Sequence, residues 1–466
     1  MSVSSQWPAV EAKLEQVSTP SIVTQMFRRH YECLCESVAG RFDATLRESA
    51  IEPVVTVIDA EQLDDDARSI GASKLEHVAV LKLNGGLGTS MGLEGPKSLL
   101  KVRGEDTFLT LILRQAEKLS VPLVLMNSFS TQEQTQAAIN GFGSDDVQVL
   151  SFLQHQVPKI DAESLEPVAW PDDSDLEWCP PGHGDIYAAL VTSGTLKKLL
   201  DEGRRYLFVS NADNLGATLD PAILGHFIQT GASFMMEVAD RTLADRKGGH
   251  LAKAKDGRLV LREKAQCHPD EESVFQDIGK HRYFNTNNLW IDLQQLQDYL
   301  TANESRIDLP TITNRKTVDP KRSDSLAVYQ LETAMGAAIE VLPNTTAIRV
   351  PRSRFAPVKT TNDLLAVRSD AYEVREDASV GLIETRAGQP PTIELDTRYY
   401  KTIADLEERV QAAPSLAACN QLTVLGNVHF PPGVRVEGDC RIEGSETPSE
   451  LPSGTQTGTV TTGFDG

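Results

Sequence analysis

Short apolar runs alternate with longer amphipathic segments through the middle of the chain. The apolar runs cover residues 77–83, 122–126, 147–152, 206–210 and 232–238. Runs this short and this rich in Val and Leu are typical of buried strands. The segments 107–119, 186–200 and 221–230 instead carry apolar residues at helical spacing. The alternation predicts an α/β fold with a mixed, mostly parallel sheet and helices on both faces.

The two ends of the chain have different patterns. Residues 1–75 have a helical pattern, with one apolar face between Ile22 and Leu34. Residues 422–438 repeat a short strand and a glycine turn, which predicts a short parallel β-helix. The polar stretch from Ser445 onwards predicts a loosely held end. The predicted units are an N-terminal helical segment (1–75), an α/β domain (76–367), a connecting segment (368–414) and a β-helix with its tail (415–466).

Charge and composition exclude some classes of function. The chain has 466 residues, 40 % of them hydrophobic, which is ordinary for a globular protein. Its net charge of −21 argues against nucleic acid as a partner, because such binding depends on clustered Lys and Arg. The sequence contains no apolar run of about 18 residues, so it predicts no membrane-spanning helix. The first residues are too polar for a secretory signal.

Six cysteines are scattered along the chain: Cys33, Cys35, Cys179, Cys267, Cys419 and Cys440. Their spacing matches no zinc motif. We therefore expect free thiols and a reduced, cytoplasmic setting.

A glycine-rich turn follows the first strand of the α/β region. Residues 84–92 contain four glycines, and a second turn at 211–213 follows another strand. Both turns lie at the carboxyl edge of the predicted sheet, where such folds bind ligands. A dinucleotide fingerprint fails because Met91 stands where the third glycine belongs, which argues against an NAD(P)-dependent oxidoreductase. A P-loop fails because Lys97 follows Gly95-Pro96.

A phosphate-binding loop is still the best interpretation of this turn. Glycines let backbone N–H groups approach phosphate oxygens, and Lys97 adds a positive charge nearby. The alternative is a tight strand-to-helix connection without a ligand.

The stretch LNGGLGTSMGLEGPK at 83–97 resembles the nucleotide-binding signature of eukaryotic-type UTP–glucose-1-phosphate uridylyltransferases. Further family motifs follow in the same order: NSFST (127–131), PPGHGD (180–185), FVSNADNLGATLD (208–220), KGG (247–249), FNTNNLW (284–290), QLETAMGAAIE (330–340) and VPRSRFAPVKTTNDLL (350–365). The resemblance covers more than three quarters of the chain. It implies a Rossmann-like nucleotidyltransferase domain at 76–367, followed by a short left-handed parallel β-helix.

The resemblance also implies a reaction. UTP and glucose 1-phosphate would give UDP-glucose and pyrophosphate by Mg²⁺-dependent in-line attack on the α-phosphate. Such a reaction asks the protein to align its substrates and neutralise charge. Two alternatives are a sister enzyme acting on galactose 1-phosphate or an N-acetylhexosamine 1-phosphate, and a non-catalytic scaffold. The resemblance also suggests that the chain could form a homo-oligomer through its C-terminal region.

Several implied site residues concern UTP. Leu83, Asn84, Gly85 and Gly86 would hold it through backbone groups, Lys97 would contact the phosphates, Gln154 and Gly182 would contact the base, and Asp213 would bind Mg²⁺. A single carboxylate suits Mg²⁺, although Asp213 could instead form an Asx turn. After Gln154 the family has Ser-x-Tyr-Pro-Arg, whereas residues 155–159 are HQVPK.

The other implied residues concern the sugar phosphate. They are His183 and Asn211 for the phosphate or sugar, and Glu263, Asn285 and Asn287 for the hydroxyls. Carboxylate and amide groups suit hydroxyl recognition, but either asparagine could instead satisfy backbone groups. Lys359 resembles the family lysine that neutralises the reacting phosphates, so the resemblance implies it as a UTP contact and, together with Lys97, as a catalytic residue. Related enzymes often carry a second metal-binding carboxylate in its place. Lys247 is a further basic candidate or a solvated loop charge.

Overall fold

The structure is a computed structural model and describes residues 3–143 and 146–463. The α-helices are α1 (Val3–Gln16), α2 (Ser21–Val38), α3 (Asp65–Ala72), α4 (Phe108–Leu119), α5 (Gln132–Phe142), α6 (Ile186–Thr192), α7 (Thr195–Asp201), α8 (Pro221–Thr230), α9 (Glu272–Phe275), α10 (Leu293–Ala302), α11 (Thr361–Arg368), α12 (Thr397–Tyr400) and α13 (Ile403–Arg409).

The strands up to residue 292 are β1 (Ile51–Pro53), β2 (Ile58–Asp59), β3 (Val78–Asn84), β4 (Lys101–Arg103), β5 (Asp106–Thr107), β6 (Leu123–Asn127), β7 (Val149–Leu153), β8 (Val157–Pro158), β9 (Ile160–Asp161), β10 (Trp178–Cys179), β11 (Tyr206–Asn211), β12 (Phe234–Asp240), β13 (His250–Ala254), β14 (Leu259–Arg262) and β15 (Tyr283–Asp292). The later strands are β16 (Ile312–Thr317), β17 (Ala327–Glu332), β18 (Thr345–Arg349), β19 (Tyr372–Val374), β20 (Val380–Leu382), β21 (Thr392–Leu395), β22 (Cys419–Leu425), β23 (Val428–His429), β24 (Val434–Gly444), β25 (Ser449–Glu450) and β26 (Gly454–Thr462).

The central sheet has the strand order β2-β18-β12-β15-β11-β3-β6-β7. Every neighbouring pair is parallel except those that contain β15, which runs antiparallel to both β12 and β11. The strands β13, β14 and β1 extend the sheet from β15 by antiparallel pairing. The prediction of a mixed, mostly parallel sheet in an α/β fold is therefore confirmed.

Two hydrophobic cores lie on opposite faces of this sheet. Successive side chains of β3 alternate between them: Ala79 and Leu81 enter one core, and Val78 and Val80 enter the other. The first core also holds apolar residues of α6, α7 and α10, and the second holds residues of α4 and α8. A strand that is buried on both faces must be apolar throughout, which is why this run was recognisable in the sequence.

Two expected elements differ from the structure. The single helix expected over 186–200 is two helices, because Ser193 Oγ accepts the N–H of Thr195 and Gly194 has a φ of +73°. The expectation that 1–75 is helical is wrong at residues 51–53 and 58–59, which form β1 and β2 and join the central sheet through β13 and β18.

Parallel strands continue into the C-terminal region. The strands β21, β22, β24 and β26 form one parallel sheet, and β23 pairs with β25 in another. The expectation of a loosely held end from Ser445 is wrong for β25 and β26, which complete these two ladders; residues 464–466 lie outside the described part. None of the helices in the described ranges is long and apolar enough to cross a membrane.

Candidate active site

A cleft of about 330 Å³ opens at the carboxyl ends of β3, β6 and β11. Ten of the sequence-predicted residues line it: Leu83, Asn84, Gly85, Gly86, Lys97, Gln154, Gly182, His183, Asn211 and Asp213. The cleft forms here because β3 lies in register with β6 on one side and β11 on the other, so their ends meet at one edge.

The glycine turn after β3 is held from below by polar side chains. The Asn84 side chain is buried and donates from Nδ2 to Asn127 Oδ1 at 2.7 Å and to Thr135 Oγ1 at 3.0 Å. Ser128 Oγ donates to the carbonyl of Gly85 at 3.0 Å. The Asn84 side chain therefore fixes the turn and leaves the backbone groups of Asn84 for a ligand.

Gln154 lies directly over Gly85. A Cβ on Gly85 would stand 2.8 Å from Gln154 Nε2, so the Gln154 side chain would have to move to make room for it. The N–H of Gln154 donates to the carbonyl of Asn127 at 2.8 Å. The backbone of Gln154 is therefore held at the wall of the cleft, where the side-chain amide can offer one donor and one acceptor to the edge of a planar base.

Lys97 and Asp213 form an ion pair across the cleft, with 2.6 Å between Lys97 Nζ and Asp213 Oδ2. The N–H of Lys97 donates to the carbonyl of Gly86 at 3.1 Å, which closes the glycine loop. Asp213 follows β11 in the turn that the sequence predicted. A cation and a carboxylate so close together supply the two kinds of group that phosphate oxygens and a divalent cation require.

The orientation of His183 follows from one hydrogen bond. The N–H of Met335 donates to His183 Nδ1 at 2.9 Å, so in the neutral ring the proton is on Nε2. Burial lowers the pKa of His183 to about 4, which keeps the ring neutral. Gly182, before it, has a φ of +80°, and a Cβ there would stand 2.5 Å from the carbonyl oxygen of Thr333. His183 thus offers an N–H donor at the cleft wall.

Glu263, Asn285 and Asn287 form a second group beside the cleft. The N–H of Asn285 donates to the carbonyl of Gly249 at 3.2 Å, and a Cβ on Gly249 would stand 2.6 Å from Glu263 Oε2. Asn285 Nδ2 donates to Asn287 Oδ1 at 3.0 Å. Burial raises the pKa of Glu263 to about 7.

The turn at Met335–Glu340 joins this group to the cleft. Met335 contacts His183, and a Cβ on Gly336 would stand 3.0 Å from Asn285 Nδ2. Asn287 has a φ of +60° inside β15, at an irregularity where residues 286–288 face Glu237 alone. Such bulges re-aim side chains, and here Asn285 and Asn287 meet on one side of the strand.

Lys359 is exposed at the rim of the site. The N–H of Val358 donates to the carbonyl of Asp213 at 3.1 Å, so Lys359 directly follows a residue tied to Asp213. Its Nζ stands 5.8 Å from the centre of the Phe355 ring. Lys247 is exposed in the loop that precedes Gly248 and Gly249.

A family model for UTP–glucose-1-phosphate uridylyltransferase matches residues 24–437, most of the chain. The chain belongs to this family. A UTP–glucose-1-phosphate uridylyltransferase from Saccharomyces cerevisiae is 43 % identical over 390 residues, which are 82 % of this chain and 77 % of the relative. A relative of the same name from Musa acuminata is 40 % identical and aligns over 83 % of both chains.

Solved structures of similar proteins have the same fold. A UDP-glucose pyrophosphorylase variant from Leishmania major in complex with UDP-glucose is 40 % identical, with a TM-score of 0.89 over 99 % of this chain and 100 % of that one. A UDP-glucose phosphorylase from Trypanosoma brucei is 41 % identical, with a TM-score of 0.86 over 98 % of this chain and 99 % of that one.

This member of the uridylyltransferase family departs from the usual pattern after Gln154. His155 donates its backbone N–H to Asp185 at 2.7 Å, its Nδ1 stands 2.8 Å from the same carboxylate, and its Nε2 stands 3.0 Å from Thr192 Oγ1. Both ring nitrogens are thus engaged. Lys159 is buried and donates to the carbonyl of Val318 at 2.8 Å. His155 thus holds the chain next to Gln154, whereas Lys159 is anchored to Val318.

Sequence reasoning missed the supports of the site. Ser98, Met126, Pro180 and Ala212 also line the cleft, and Ser128, Thr135, Thr333 and Met335 hold its walls. Most of these lie inside or beside family motifs that were recognised without a role. The motifs could have pointed to them; the individual contacts could not be read from the sequence.

The residues present fit a magnesium ion that is shared with substrate. Asp213 is the one acid among the described residues that line the cleft. Nowhere in the ranges 3–143 and 146–463 do three or more His, Cys, Asp or Glu side chains converge as a metal cluster. Mg²⁺ commonly binds one or two carboxylates and completes its shell with phosphate oxygens and water. Asp213 satisfies that requirement.

Proposed function

We propose that this chain transfers the uridylyl group of UTP to glucose 1-phosphate and releases UDP-glucose and pyrophosphate. The observation that carries the proposal is the single cleft in which the glycine turn, Gln154 and the Lys97–Asp213 pair meet at one sheet edge. Membership in the uridylyltransferase family and the likeness to a relative that binds UDP-glucose support the same reaction.

The reaction is one substitution at the α-phosphorus of UTP. An oxygen of the sugar phosphate forms a bond to that phosphorus while the bond to the bridging oxygen of the β-phosphate breaks, and pyrophosphate leaves. The attacking phosphate is already ionised near pH 7, so no base has to remove a proton. The protein therefore aligns two polyanions and neutralises their repulsion.

On the UTP side, backbone groups of 83–86 hold the nucleotide, while Gln154 and Gly182 contact the base. Lys97 moves its ammonium from Asp213 to the triphosphate and then stabilises the leaving pyrophosphate. Asp213 would hold Mg²⁺ together with phosphate oxygens. When bound, that ion would neutralise part of the charge on the phosphates.

On the sugar side, His183 Nε2 and Asn211 donate to the sugar phosphate, and Glu263, Asn285 and Asn287 bind the hexose hydroxyls. Lys359 neutralises the attacking phosphate. Each role uses a donor or acceptor that the side chain has available. Since Lys359 extends from the rim and is tied to Asp213 through Val358, it can meet a phosphate next to the metal site.

The proposal also covers the C-terminal fold, the assembly and the cellular location of the chain. The parallel ladders from β21 to β26 form the short left-handed β-helix of the family fold. The C-terminal region carries any homo-oligomer contact. The chain works in the cytoplasm, which is supported by six cysteines without a disulfide.

The test is pyrophosphate release by the purified protein with Mg²⁺. UTP would be offered with the 1-phosphates of glucose, galactose and N-acetylglucosamine, and ATP, GTP and dTTP would replace UTP with glucose 1-phosphate. We expect release with UTP and glucose 1-phosphate. Preference for another sugar would change the substrate but keep the chemistry, and no release from the folded protein with any pair would favour a scaffold.

A further inference from the structure

A buried ion pair lies behind the sugar side of the site. Glu237, in the middle of β12, is completely buried, and its partner Arg354 is almost so. Arg354 donates to both carboxylate oxygens, from Nε to Oε2 at 2.9 Å and from Nη2 to Oε1 at 2.7 Å. Arg354 also donates to the carbonyl of Thr218 at 2.9 Å.

Side chains of strand β15 donate the remaining hydrogen bonds to the Glu237 carboxylate. Trp290 Nε1 donates to Oε1 at 2.9 Å and Asn288 Nδ2 donates to Oε2 at 3.0 Å. Thr286 Oγ1 donates to the backbone carbonyl of Glu237 at 2.7 Å. Four N–H donors on two oxygens satisfy a buried carboxylate. Since a buried ion pair is often no more stabilising than apolar residues of the same volume, stability alone does not explain this network.

The network reaches Lys359 through the segment that begins at Arg354. The carbonyl of Arg354 accepts from Asn214 Nδ2 at 3.1 Å and from Asn288 Nδ2 at 3.3 Å. Asn214 Oδ1 in turn accepts the N–H of Ala356 at 3.0 Å. Together with the hydrogen bond from Val358 N–H to the Asp213 carbonyl, these contacts hold the backbone on both sides of Pro357. They therefore fix the backbone position from which the Lys359 side chain extends.

The same network braces the bulge of β15. Residues 286–288 bulge opposite Glu237, and Asn287 takes its φ of +60° there. A left-handed backbone at a non-glycine residue persists only where its surroundings hold it. Thr286 and Asn288, on either side of Asn287, both bond to Glu237.

We propose that Glu237 and Arg354 are positioning residues for the sugar side of the reaction: they fix Lys359 beside Asp213 and fix the bulge that presents Asn285 and Asn287. This inference rests on the proposed function for the roles of Lys359 and the two asparagines. Neither Glu237 nor Arg354 lines the cleft.

The test variant is Glu237→Gln, which keeps the shape and removes the charge. We expect kcat to fall about 10- to 100-fold, as a small misplacement of reacting groups does. The KM for glucose 1-phosphate should rise, whereas the KM for UTP should stay within about threefold, because the network meets the nucleotide residues at the backbone carbonyl of Asp213 and does not contact Gln154 or the glycine turn. The matched control is Asp240→Asn on the same strand, which removes a carboxylate 3.0 Å from Arg349 and leaves the network intact.

A double-mutant cycle separates positioning from a general structural role. In a Lys359→Ala background, Glu237→Gln should cost much less in kcat than it does alone, because the group it positions is gone. Full additivity in kcat, a kcat within threefold of wild type, or equal rises in both KM values would overturn the inference.

Hydrogen–deuterium exchange gives a readout that does not depend on turnover. In Glu237→Gln the amides of Ala356 and Val358 should exchange faster, while those of β3 and β6 should not change. Unchanged exchange in residues 355–359 would also overturn the inference. If the wild-type protein is inactive, the proposed function is wrong, and the exchange result alone then tests whether the network holds residues 355–359. If Glu237→Gln does not fold, Asn288→Ser weakens the same contacts and serves in its place.

Discussion

The nucleotide half of the site (Leu83–Gly86, Lys97, Gln154 and Asp213) differs in construction from the sugar residues outside the cleft, here called the sugar half (Glu263, Asn285, Asn287 and Lys359). The first half sits at the ends of parallel strands, and one cleft contains all of it. The second half comes from antiparallel strands, a bulge and an exposed segment, and it is joined to the cleft through the turn at Met335–Glu340. Strands in register bring the nucleotide half together, whereas contacts between residues far apart in the sequence hold the bulge of the sugar half.

The largest effect should come from the sugar half. Lys359→Ala should lower kcat about 10²- to 10³-fold, because a charge next to the reacting phosphates contributes to the transition state much as an oxyanion-hole donor does. The control is Lys101→Ala, since Lys101 is exposed and pairs with Glu105 away from the cleft. Steady-state kinetics with both substrates measures the change. A kcat within threefold of wild type would remove Lys359 from the chemistry.

A smaller loss should follow from filling the nucleotide half. Gly85→Ala puts a Cβ 2.8 Å from Gln154 Nε2, so the Gln154 side chain has to move away from the base, and the KM for UTP should rise about 5- to 10-fold, in line with ~1 kcal/mol for one lost hydrogen bond. Gly141→Ala is the matched control, because a Cβ at Gly141 meets nothing within 4 Å. If the Gly85 variant bound UTP normally, Gln154 would not be a fixed wall of the cleft.

The next prediction separates the halves by pH. Burial raises the pKa of Glu263 to about 7, so the Glu263 carboxylate is mostly ionised at pH 8 and mostly protonated at pH 6. A carboxylate accepts stronger hydrogen bonds from hydroxyls than a neutral acid does. The KM for glucose 1-phosphate should therefore rise about fivefold as pH falls from 8 to 6, beyond the change caused by the substrate's own phosphate.

Glu263→Gln identifies the source of this pH dependence. At pH 8 the variant should have a KM for glucose 1-phosphate about 5- to 10-fold higher than the wild type. Between pH 8 and 6 its KM should no longer show the rise that protonation of Glu263 causes in the wild type. The KM for UTP should vary equally with pH in both proteins. The same pH dependence for the sugar phosphate in wild type and variant would contradict the assignment.

The smallest effect concerns stability. Burial raises the pKa of Glu340 to about 7, but its side chain is not part of either half. A carboxyl whose folded pKa exceeds its unfolded value contributes full stability below about pH 4.5 and loses it as pH rises through 7. Glu340→Gln should raise the free energy of unfolding at pH 8 by about 1–2 kcal/mol and leave both KM values unchanged. Denaturant unfolding at pH 5 and pH 8 checks this, and equal pH slopes in both proteins would contradict it.

The two halves also differ in how far the sequence predicted them. Buried strands and a glycine turn have strong local patterns, so the sheet edge with Lys97 and Asp213 was predictable. The bulge at Asn287 depends on Thr286 and Asn288 meeting Glu237, which is about 50 residues away in the chain. No local pattern encodes that meeting. For the same reason, the short strands β1 and β2 were predicted as helix: only pairing with β13 and β18 makes them strands.

The most direct test of the account is the stereochemistry at the α-phosphorus. The protein would be given UTP with a chiral phosphorothioate at that position, together with glucose 1-phosphate and Mg²⁺, and the product configuration would be read by ³¹P NMR. A site that aligns two substrates for one in-line displacement predicts inversion. Retention would mean that the uridylyl group passes through the protein in two displacements, and would contradict the account of Lys97, Asp213 and Lys359 as groups that only align and neutralise.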